Sequence, residues 1–432
     1  MKPTVLMLTA GACVCALVAS AALAEAEPAG KPGKVFQLER KPLPDWDTRG
    51  ARWQYEQLVP LKKMPAGIEA AKAQGGAMSF GQEKPRRFQI VLARSSKGGE
   101  NADRLYVDAN GNGEFEKGES HDLSHSGGPI QINRSSRRYR RITINPLELT
   151  LGEAGSEQPY WIALLIYDYA GQRQSHFRYT SATCVSGRVA LGKKEFLLGV
   201  YDTGMTGRFD RCPTFAEGKP DPRRRTPSPC QLLVDVDGNG QFNNLNFYGM
   251  GSENRWLTRY LRLGGAYYEL KVDAAGRSIH VAPATPKLGT LKIPKEVQSA
   301  SVVGPAFAAV VVGADKQIDV PAGDYAVYEY TYRQVGGSMR AYDREGSARL
   351  GVKAGQAASL AVGPPLTVKV DCQSRGRGSA SRQLGMDLAL TDCAGRRVVS
   401  VSDARGKRPP APRFTIATQG GKPLLDAAFK YG

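Results

Sequence analysis

Apolar and polar residues alternate in short segments along most of the chain, and glycine, aspartate and asparagine separate these segments. The segments at 141–144 (RITI), 176–180 (HFRYT) and 278–283 (SIHVAP) are typical. Alternation with a period of two places successive side chains on opposite faces of a strand, and the residues between the segments favour tight turns. The pattern predicts a mainly β, multi-domain protein of antiparallel, sandwich-like sheets. It predicts few short helices, one of them over 66–74 behind Pro65.

Shifts in composition divide the chain into six predicted parts. Proline and charged residues dominate the segments between the strand-rich regions, which is typical of linkers. The predicted parts are a signal peptide at 1–24, a proline-rich tail or linker at 25–50, β domains at 51–155 and 156–285, a β-sandwich-like domain at 286–363, and a C-terminal β unit at 364–432 that could merge with the domain before it.

The beginning of the chain has the three parts of a secretory signal peptide. Lys2 supplies a positive charge, residues 5–20 are apolar, and Ala22-Leu23-Ala24 forms an A-x-A cleavage site. The sequence therefore predicts export to the periplasm, the cell envelope or the extracellular medium. An uncleaved membrane anchor and a lipoprotein attached through Cys13 are the alternatives. No apolar segment after the predicted cleavage site is long enough to span a membrane.

The charge of the chain bears on its partners. Its 432 residues include 59 Lys and Arg against 41 Asp and Glu, which gives a net charge of +18. The basic runs at 134–141 (RSSRRYRR) and 223–225 fit an anionic envelope polymer, while a solvated strand edge and an exposed loop explain them without a ligand. Tyr139 is the only aromatic residue in these runs, so the sequence predicts no specific nucleic-acid binding. Another protein is the remaining candidate partner.

A calcium-type loop, DANGNGEFEKGE, occupies residues 108–119 directly after an apolar segment. Its D-x-N-x-N-G spacing with an acid at the twelfth position is typical of calcium loops, because Ca²⁺ takes about six to eight oxygen ligands from alternate residues. Gly113 permits the sharp turn. A plain hairpin turn explains the Asn-Gly pairs, but it needs no acid at the twelfth position. The predicted ligands are Asp108, Asn110, Asn112, the Glu114 carbonyl, Glu116 through a water, and Glu119.

Two further copies of this pattern follow later strands. The second copy has the predicted ligands Asp235, Asp237, Asn239, Gln241 and Asn243, and the third has Asp202 and Asp210. The twelfth position of the second copy is Asn246, so we expect weaker binding unless another segment, such as the one with Asp210, donates a carboxylate. The third copy lacks a ligand at its third position.

Residues from about 86 to 285 resemble a group of large exported bacterial proteins of unknown function. The matching segments are LYVDANGNGEFEKGE, GVYDTGMTGRFD, LLVDVDGNGQF and LGGAYYELKVDAAGRS. In these proteins strands end in EF-hand-like D-x-N-x-N-G-x-[FL] loops. The resemblance implies an envelope or extracellular location and calcium binding, and it implies no activity.

The common enzyme signatures are missing from the sequence. It contains no H-E-x-x-H, no G-x-S-x-G, no phosphate-binding P-loop and no G-x-G-x-x-G after a strand. The prediction is an exported calcium-binding protein that binds a partner in the envelope or outside the cell without catalysing a reaction. A secreted hydrolase with accessory β domains and a structural assembly protein are the alternatives. A cleft with clustered acids would favour the hydrolase, and an exposed apolar edge strand would favour the assembly protein.

Five cysteines follow the predicted signal peptide. In an oxidising compartment we expect two disulfides, Cys212–Cys230 and Cys372–Cys393, with Cys184 free. Each bridge would close a loop of roughly 20 residues and stabilise the fold by about 3 kcal/mol. Five reduced thiols are the alternative.

Overall fold

β-Strands make up almost all of the regular structure in the computed structural model of the protein. The structure describes residues 33–43, 53–66, 68, 72–81, 86–94, 102–123, 131–132, 138–152, 157–169, 175–214, 230–242, 253–312, 317–334, 336–343, 348–375 and 383–429. Among these residues a 3₁₀ turn at Lys117–Glu119 is the only helical element. The prediction of a mainly β protein with several antiparallel sheets is therefore confirmed.

The strands are numbered in chain order. Their bounds are β1 Lys34–Gln37, β2 Glu39–Pro42, β3 Gln54–Gln57, β4 Val59–Pro60, β5 Lys72–Phe80, β6 Arg86–Arg94, β7 Arg104–Val107, β8 Ser120–Asp122, β9 Gln131–Ile132, β10 Arg138–Leu151, β11 Gln158–Tyr169, β12 His176–Ser181, β13 Thr183–Leu191, β14 Lys194–Tyr201, β15 Gln231–Val234, β16 Asn254–Trp256, β17 Tyr260–Leu263, β18 Ala266–Val272, β19 Ser278–Ala284, β20 Leu288–Lys292, β21 Val297–Val303, β22 Ala308–Val312, β23 Gln317–Pro321, β24 Gly323–Gln334, β25 Gly337–Tyr342, β26 Arg349–Val352, β27 Ala357–Ser359, β28 Thr367–Arg375, β29 Gln383–Thr391, β30 Arg397–Asp403, β31 Arg413–Ala417 and β32 Pro423–Ala428.

The first unit is a sandwich of two five-stranded antiparallel sheets. One sheet has the order β4-β5-β6-β7-β8, and the other has the order β3-β12-β11-β10-β9. Both sheets contribute to one buried core, in which the ring of Phe80 lies 5.4 Å from Phe88, 5.7 Å from Tyr160 and 5.6 Å from Tyr179. Large aromatic side chains from both inner faces therefore hold the sheets together.

The second unit packs the sheet β16-β15-β14-β13-β2 against the sheet β1-β19-β18-β17. Its edge strands β1 and β2 come from residues 34–42, where the proline-rich composition predicts a tail or linker. That prediction is wrong for these residues, because β1 pairs with β19 and β2 pairs with β13. The physical reason is that Phe36 and Leu38 pack against the apolar core of this unit. The prolines on either side of these strands made the short strand pattern hard to recognise, and the strands depend on partners that are distant in the sequence.

The third unit contains an eight-stranded sheet and a three-stranded sheet with the order β23-β20-β27. The larger sheet runs β22-β21-β24-β25-β30-β29-β28, and β26 pairs with β24. Strands from both sides of residue 364 thus belong to one sheet, so the two C-terminal parts of the chain merge. The strands β31 and β32 form a hairpin with each other.

One predicted domain boundary falls inside a sheet. The strands β10 and β11 pair from Tyr139 opposite Tyr169 to Leu151 opposite Gln158. Residues 155 and 156 therefore lie between two partners of the first unit, and its last strand is β12. Turn-forming residues occur both in linkers and between paired strands, so composition alone did not distinguish the two.

The helix predicted over 66–74 is also wrong where the structure describes it. Residues 72–74 begin β5, which pairs with β6 from Lys72 opposite Arg94. Two glycines follow at 75 and 76, and glycine costs about 1 kcal/mol in a helix. A Cβ at Gly75 would lie 2.7 Å from a Leu61 side-chain atom, so the strand uses glycine for a close approach. Sheet pairing and packing therefore override the local helix pattern.

Candidate metal centre

The first calcium-type loop begins where β7 ends. Asp108 is only 1% exposed. Its Oδ2 accepts a hydrogen bond from the Gly113 amide at 3.0 Å, whereas its Oδ1 is buried and accepts none from any described residue. Gly113 has a φ of +88°, a conformation that glycine adopts readily and other residues avoid. A buried carboxylate oxygen without a donor is energetically costly, and a bound cation would satisfy it.

Two asparagines curl the loop after Asp108. The Asn110 Oδ1 accepts a hydrogen bond from the Asn112 amide at 2.9 Å, and the Asn112 Oδ1 accepts one from the Glu114 amide at 2.8 Å. The side chain of Glu114 is exposed, in agreement with its predicted role through the backbone. Side-chain oxygens of alternate residues thus bend the backbone of the loop in the order that a calcium loop uses.

The last two predicted ligands of this loop fold back onto its beginning. Glu119 is 8% exposed, and its Oε1 accepts hydrogen bonds from the Ala109 amide at 2.7 Å and the Asn110 amide at 3.2 Å. The Oε1 of Glu116 accepts hydrogen bonds from the side-chain amides of Asn110 at 3.3 Å and Asn112 at 3.0 Å. The Glu119 Oε2 accepts a hydrogen bond from the Glu116 amide at 3.0 Å, so backbone amides satisfy both Glu119 oxygens and hold this side chain against the start of the loop.

The second loop, after β15, acquires a carboxylate from outside its twelve residues. The Asp235 Oδ2 accepts a hydrogen bond from the Gly240 amide at 2.8 Å, which matches the Asp108–Gly113 bond of the first loop. Ligand atoms of Asp235, Asp237 and Glu253 all lie within 4.8 Å of one another. Glu253 is 2% exposed and directly precedes β16. The second loop thus has the acid that its own twelfth position lacks.

The remaining predicted ligands of the second loop have mixed outcomes. The Asn239 Oδ1 accepts a hydrogen bond from the Gln241 amide at 2.8 Å, so both residues lie in the curl of the loop. Asn243 and Asn246 lie outside the described residues. Asp210 was expected to donate a carboxylate here, but the Arg208 guanidinium donates to both of its oxygens, at 3.1 and 2.7 Å. The carboxylate that lies beside Asp235 and Asp237 is that of Glu253 instead.

The third loop is closed by protein donors. Asp202 is fully buried, and its Oδ2 accepts hydrogen bonds from the amides of Thr206 and Gly207 at 2.7 Å and from the Tyr160 hydroxyl at 2.9 Å. Its Oδ1 accepts the Gly204 amide at 3.2 Å and the Thr206 hydroxyl at 3.2 Å. Burial raises the pKa of this carboxyl. Five donors satisfy both oxygens of Asp202, and unlike Asp235 it belongs to no described group of three possible metal ligands, so this geometry does not favour Asp202 and Asp210 as metal ligands.

Two residues outside these loops lie against them and were not predicted from the sequence. Glu253 lies beyond the twelve-residue pattern, and the order of residues gives no sign that it returns to Asp235. Arg86 on β6 donates to the Gly152 carbonyl at 2.6 Å and also to the Asn110 carbonyl, which ties the first loop to the end of β10. The only feature of the sequence that could have indicated this contact is a basic residue at the start of a predicted strand, which is too common to be specific.

A cleft of about 490 Å³ adjoins the third loop. Its wall includes Arg40, Arg86 and Arg277, together with Thr206 and Gly207 of the third loop. The part of this wall that the structure describes contains no carboxylate. It therefore lacks the clustered acids that would favour the hydrolase alternative at this place.

The predicted basic runs divide between the interior and the surface. Arg140 donates to the Leu123 carbonyl at 3.1 Å and to the Ala102 carbonyl, so its guanidinium holds loop ends in place. Arg141 is exposed on the neighbouring position. Residues 134–137 and 223–225 lie outside the described residues. Arg141 is thus the described member of these runs that is available to a partner.

All five cysteines outside the predicted signal peptide are free thiols in the structure. The bridge predicted between Cys372 and Cys393 conflicts with the strand register, because Cys372 lies opposite Met386, seven residues before Cys393. Seven residues of extended chain span about 23 Å, far beyond the reach of a disulfide.

The other predicted pair is close in space but is not bridged. The Cys230 amide donates to the Arg211 carbonyl at 2.9 Å, and Cys212 packs against the core that contains Cys230. Burial raises the pKa of Cys212 to about 11 and that of Cys230 well above its usual value. Both groups therefore stay protonated thiols at neutral pH, which slows their oxidation.

Comparison with known proteins gives no match: no protein family, curated protein or solved structure is significantly similar to this chain. Among the described residues, no helix has both the length and the apolar character needed to cross a membrane.

Proposed function

We propose that the loop at 108–119 binds a calcium ion within an exported binding protein of the cell envelope or extracellular medium. The observation that carries this proposal is the buried Asp108 Oδ1, which has no hydrogen-bond donor among the described residues. It lies in a loop whose oxygen-bearing residues have the spacing of a calcium loop. The signal peptide pattern at 1–24 supports the proposed location. The resemblance to exported proteins with similar loops stays a prediction.

The contrast between Asp108 and Asp202 supports the assignment to the first loop. Both carboxylates follow a strand, both are buried, and both accept a hydrogen bond from the glycine at the sixth position. Only Asp202 has protein donors on both oxygens. Hydrogen bonds within the protein therefore satisfy both oxygens of Asp202. In the first loop the same turn leaves one oxygen of Asp108 without a donor, and this oxygen is available to a cation.

The second loop is proposed as a second calcium site. Asp235, Asp237 and Glu253 bring three carboxylates within 4.8 Å of one another, and two of them are buried. Carboxylate oxygens are preferred ligands of Ca²⁺. Protein amides already satisfy both oxygens of Asp235, so we expect this site to be weaker than the first.

The test measures thermal unfolding of the full chain with calcium, with magnesium and with a chelator. At a calcium concentration of about 100 times Kd, binding stabilises the folded state by about 2.7 kcal/mol. We expect calcium to raise the melting temperature and Asp108→Asn to remove most of this response.

Asp202→Asn is the matched control, because it alters an equivalent buried aspartate without altering the proposed site. It should lower the melting temperature in every buffer and keep the calcium response. Identical melting curves of the wild type with calcium and with chelator would refute calcium binding. A response that Asp108→Asn leaves intact would refute its assignment to this loop.

A structural assembly protein is the second candidate, and the edges of the eight-stranded sheet favour it. The edge strand β28 exposes Val368 and Val370, and the opposite edge strand β22 exposes Val310 and Val312. Exposed apolar edge strands are sites where chains pair with one another. Sedimentation of the wild type and of a Val368→Lys, Val370→Lys variant tests this. Concentration-dependent association that the variant lacks would support assembly, and a monomer at all concentrations would refute it.

A further inference from the structure

Five aromatic rings form a continuous group on the sheet β3-β12-β11-β10-β9. This tyrosine platform consists of Tyr55, Tyr139, Tyr167, Tyr169 and His176. The His176 ring centre lies 4.5 Å from that of Tyr167, 5.0 Å from that of Tyr55 and 5.5 Å from that of Tyr169. The Tyr139 ring lies 5.6 Å from both Tyr167 and Tyr169.

The platform lies on the side of the sheet that faces away from the Phe80 core. Ile166 and Phe177 on the other side of β11 and β12 are fully buried in that core, and strand side chains alternate between the two faces. Tyr55 is 49% exposed, and the other four rings are partly exposed. The rings come from four neighbouring strands, which together span about 14 Å. This width accommodates a few linked sugar rings.

Two arginines give the platform a positive charge. The Arg178 guanidinium lies 5.4 Å from the centre of the Tyr167 ring, and the exposed Arg141 lies opposite Tyr167 on the neighbouring strand. The nearest acid on β11, Asp168, is fully buried on the core side and pairs with Arg94 at 2.8 Å. Among the described residues, no ion pair involves Arg141 or Arg178, so their charges are available to a ligand.

His176 contributes a flat ring instead of a further charge. Burial, with a contribution from the Arg178 charge, lowers the pKa of His176 to about 4. Its imidazole is therefore neutral at neutral pH, and it stacks on Tyr167 with an angle of 20° between the ring planes.

We propose that the tyrosine platform binds the sugar rings of an anionic polysaccharide whose carboxylates pair with Arg141 and Arg178. The C–H faces of sugar rings pack on aromatic faces, the phenol hydroxyls form hydrogen bonds with sugar hydroxyls, and guanidinium groups bind carboxylates through paired hydrogen bonds. A single-stranded nucleic acid fits less well, because its phosphates need a continuous basic groove and the described platform has two arginines. This inference names the anionic partner of the proposed function and rests on it, but it uses residues outside the calcium loops.

The test measures binding of the full chain to hexamers of galacturonic acid and of mannuronic acid by calorimetry. The buffer contains a chelator, so failure of the calcium proposal leaves this test intact. A neutral hexamer of glucose and a single-stranded oligonucleotide are the comparison ligands. We expect at least one acidic hexamer to bind more tightly than both, and added salt to weaken its binding.

Three substitutions address the platform directly. Tyr55→Ala should raise the Kd by about three- to tenfold, the size of one aromatic contact. Arg178→Gln should raise it and reduce its salt dependence. His176→Phe should keep binding, because a phenyl ring at this position can stack on Tyr167 as the imidazole does. Tyr55 and Arg178 are exposed on the sheet surface, so these variants should fold, and circular dichroism checks this.

Arg87→Gln is the matched control, since Arg87 is an exposed arginine on β6 in the other sheet of the same unit. It should bind like the wild type. The proposal is overturned if neither acidic hexamer binds, if the neutral hexamer or the oligonucleotide binds at least as tightly, or if the Tyr55 and Arg178 variants match the Arg87 control.

Discussion

Removing the carboxylate of Asp168 should destabilise the first unit from within. Asp168 is fully buried on β11, between the platform residues Tyr167 and Tyr169. It accepts hydrogen bonds from Arg94 at 2.8 Å and from the Ala102 amide at 2.8 Å, and Arg140 lies 3.9 Å away. The substitution Asp168→Ala would leave two guanidinium groups near the core without their common anion.

The structure sets the expected magnitude. Breaking a buried ion pair by removing one partner costs about 3–5 kcal/mol, because the remaining charge is uncompensated. The side chains of Arg94 and Arg140 keep exposures of 11% and 13%, so water recovers part of this loss. We therefore expect a value near the lower limit, about 3 kcal/mol, and a cavity too small to dominate it.

Hydrogen exchange is the suitable assay, because several units within one chain do not unfold as two states. The slowest amides of β11 and β12 should exchange roughly a hundredfold faster in Asp168→Ala, while those of β24 and β25 should not change. Asp387→Ala, at an exposed position of β29, is the control and should leave both sets unchanged. The double variant Arg94→Met, Asp168→Leu should be destabilised less than the sum of its single variants.

Two results would refute this reasoning. Exchange in Asp168→Ala within a factor of two of the wild type would mean that the ion pair contributes no net stability. Strict additivity of the Arg94 and Asp168 substitutions would mean that the two side chains act independently despite their 2.8 Å contact.

Three further predictions concern single residues. The pKa of His176 is about 4 in the folded state and 6.5 in the unfolded state, so only the unfolded state gains a proton between these values. The contribution of His176 to stability should therefore be complete above pH 6.5 and lost as the pH falls towards 4. Urea unfolding in which His176→Phe shows the same pH dependence as the wild type would contradict this. Iodoacetamide should label the exposed Cys372 quickly and the half-buried Cys212 and the buried Cys230 slowly, because burial raises the pKa of the latter two thiols. Equal labelling rates by mass spectrometry would argue against this. Glu253→Gln should weaken calcium binding at the second loop and spare the first, and an unchanged calorimetric isotherm would exclude Glu253 as a ligand.

The strand pattern predicted the fold class because most strands bury one face. Segments such as 176–180 and 278–283 alternate between apolar and polar residues, and both lie in strands of the structure. The pairing of β1 with β19 could not be predicted, because its partners are far apart in sequence and its flanks are rich in proline. The segment at 72–74 was misassigned for a similar reason, since its conformation depends on pairing with β6.

Local spacing also predicted the parts of the candidate site that lie in one loop. The Asp108–Gly113 bond and the curl at Asn110 involve residues at most five positions apart. Glu253 and Arg86 reach their loops through the fold, so no spacing rule identifies them. The tyrosine platform combines residues as distant as Tyr55 and His176, and only the register of four strands brings their rings together.

The N-terminal strands of the second unit have a consequence for the order in which the chain folds. Lys34 pairs with Val281, so β1 is synthesised 247 positions (281 − 34) before its partner. At about 5–20 residues per second, a ribosome needs on the order of tens of seconds to make that stretch. Until then β1 has no partner strand, whereas β2 can pair with β13 as soon as residues 183–186 are made. A protein shortened by removal of residues 34–42 would expose the outer edges of β13 and β19 permanently and would also lose Phe36 and Leu38 from the core, so it should aggregate by edge-to-edge pairing.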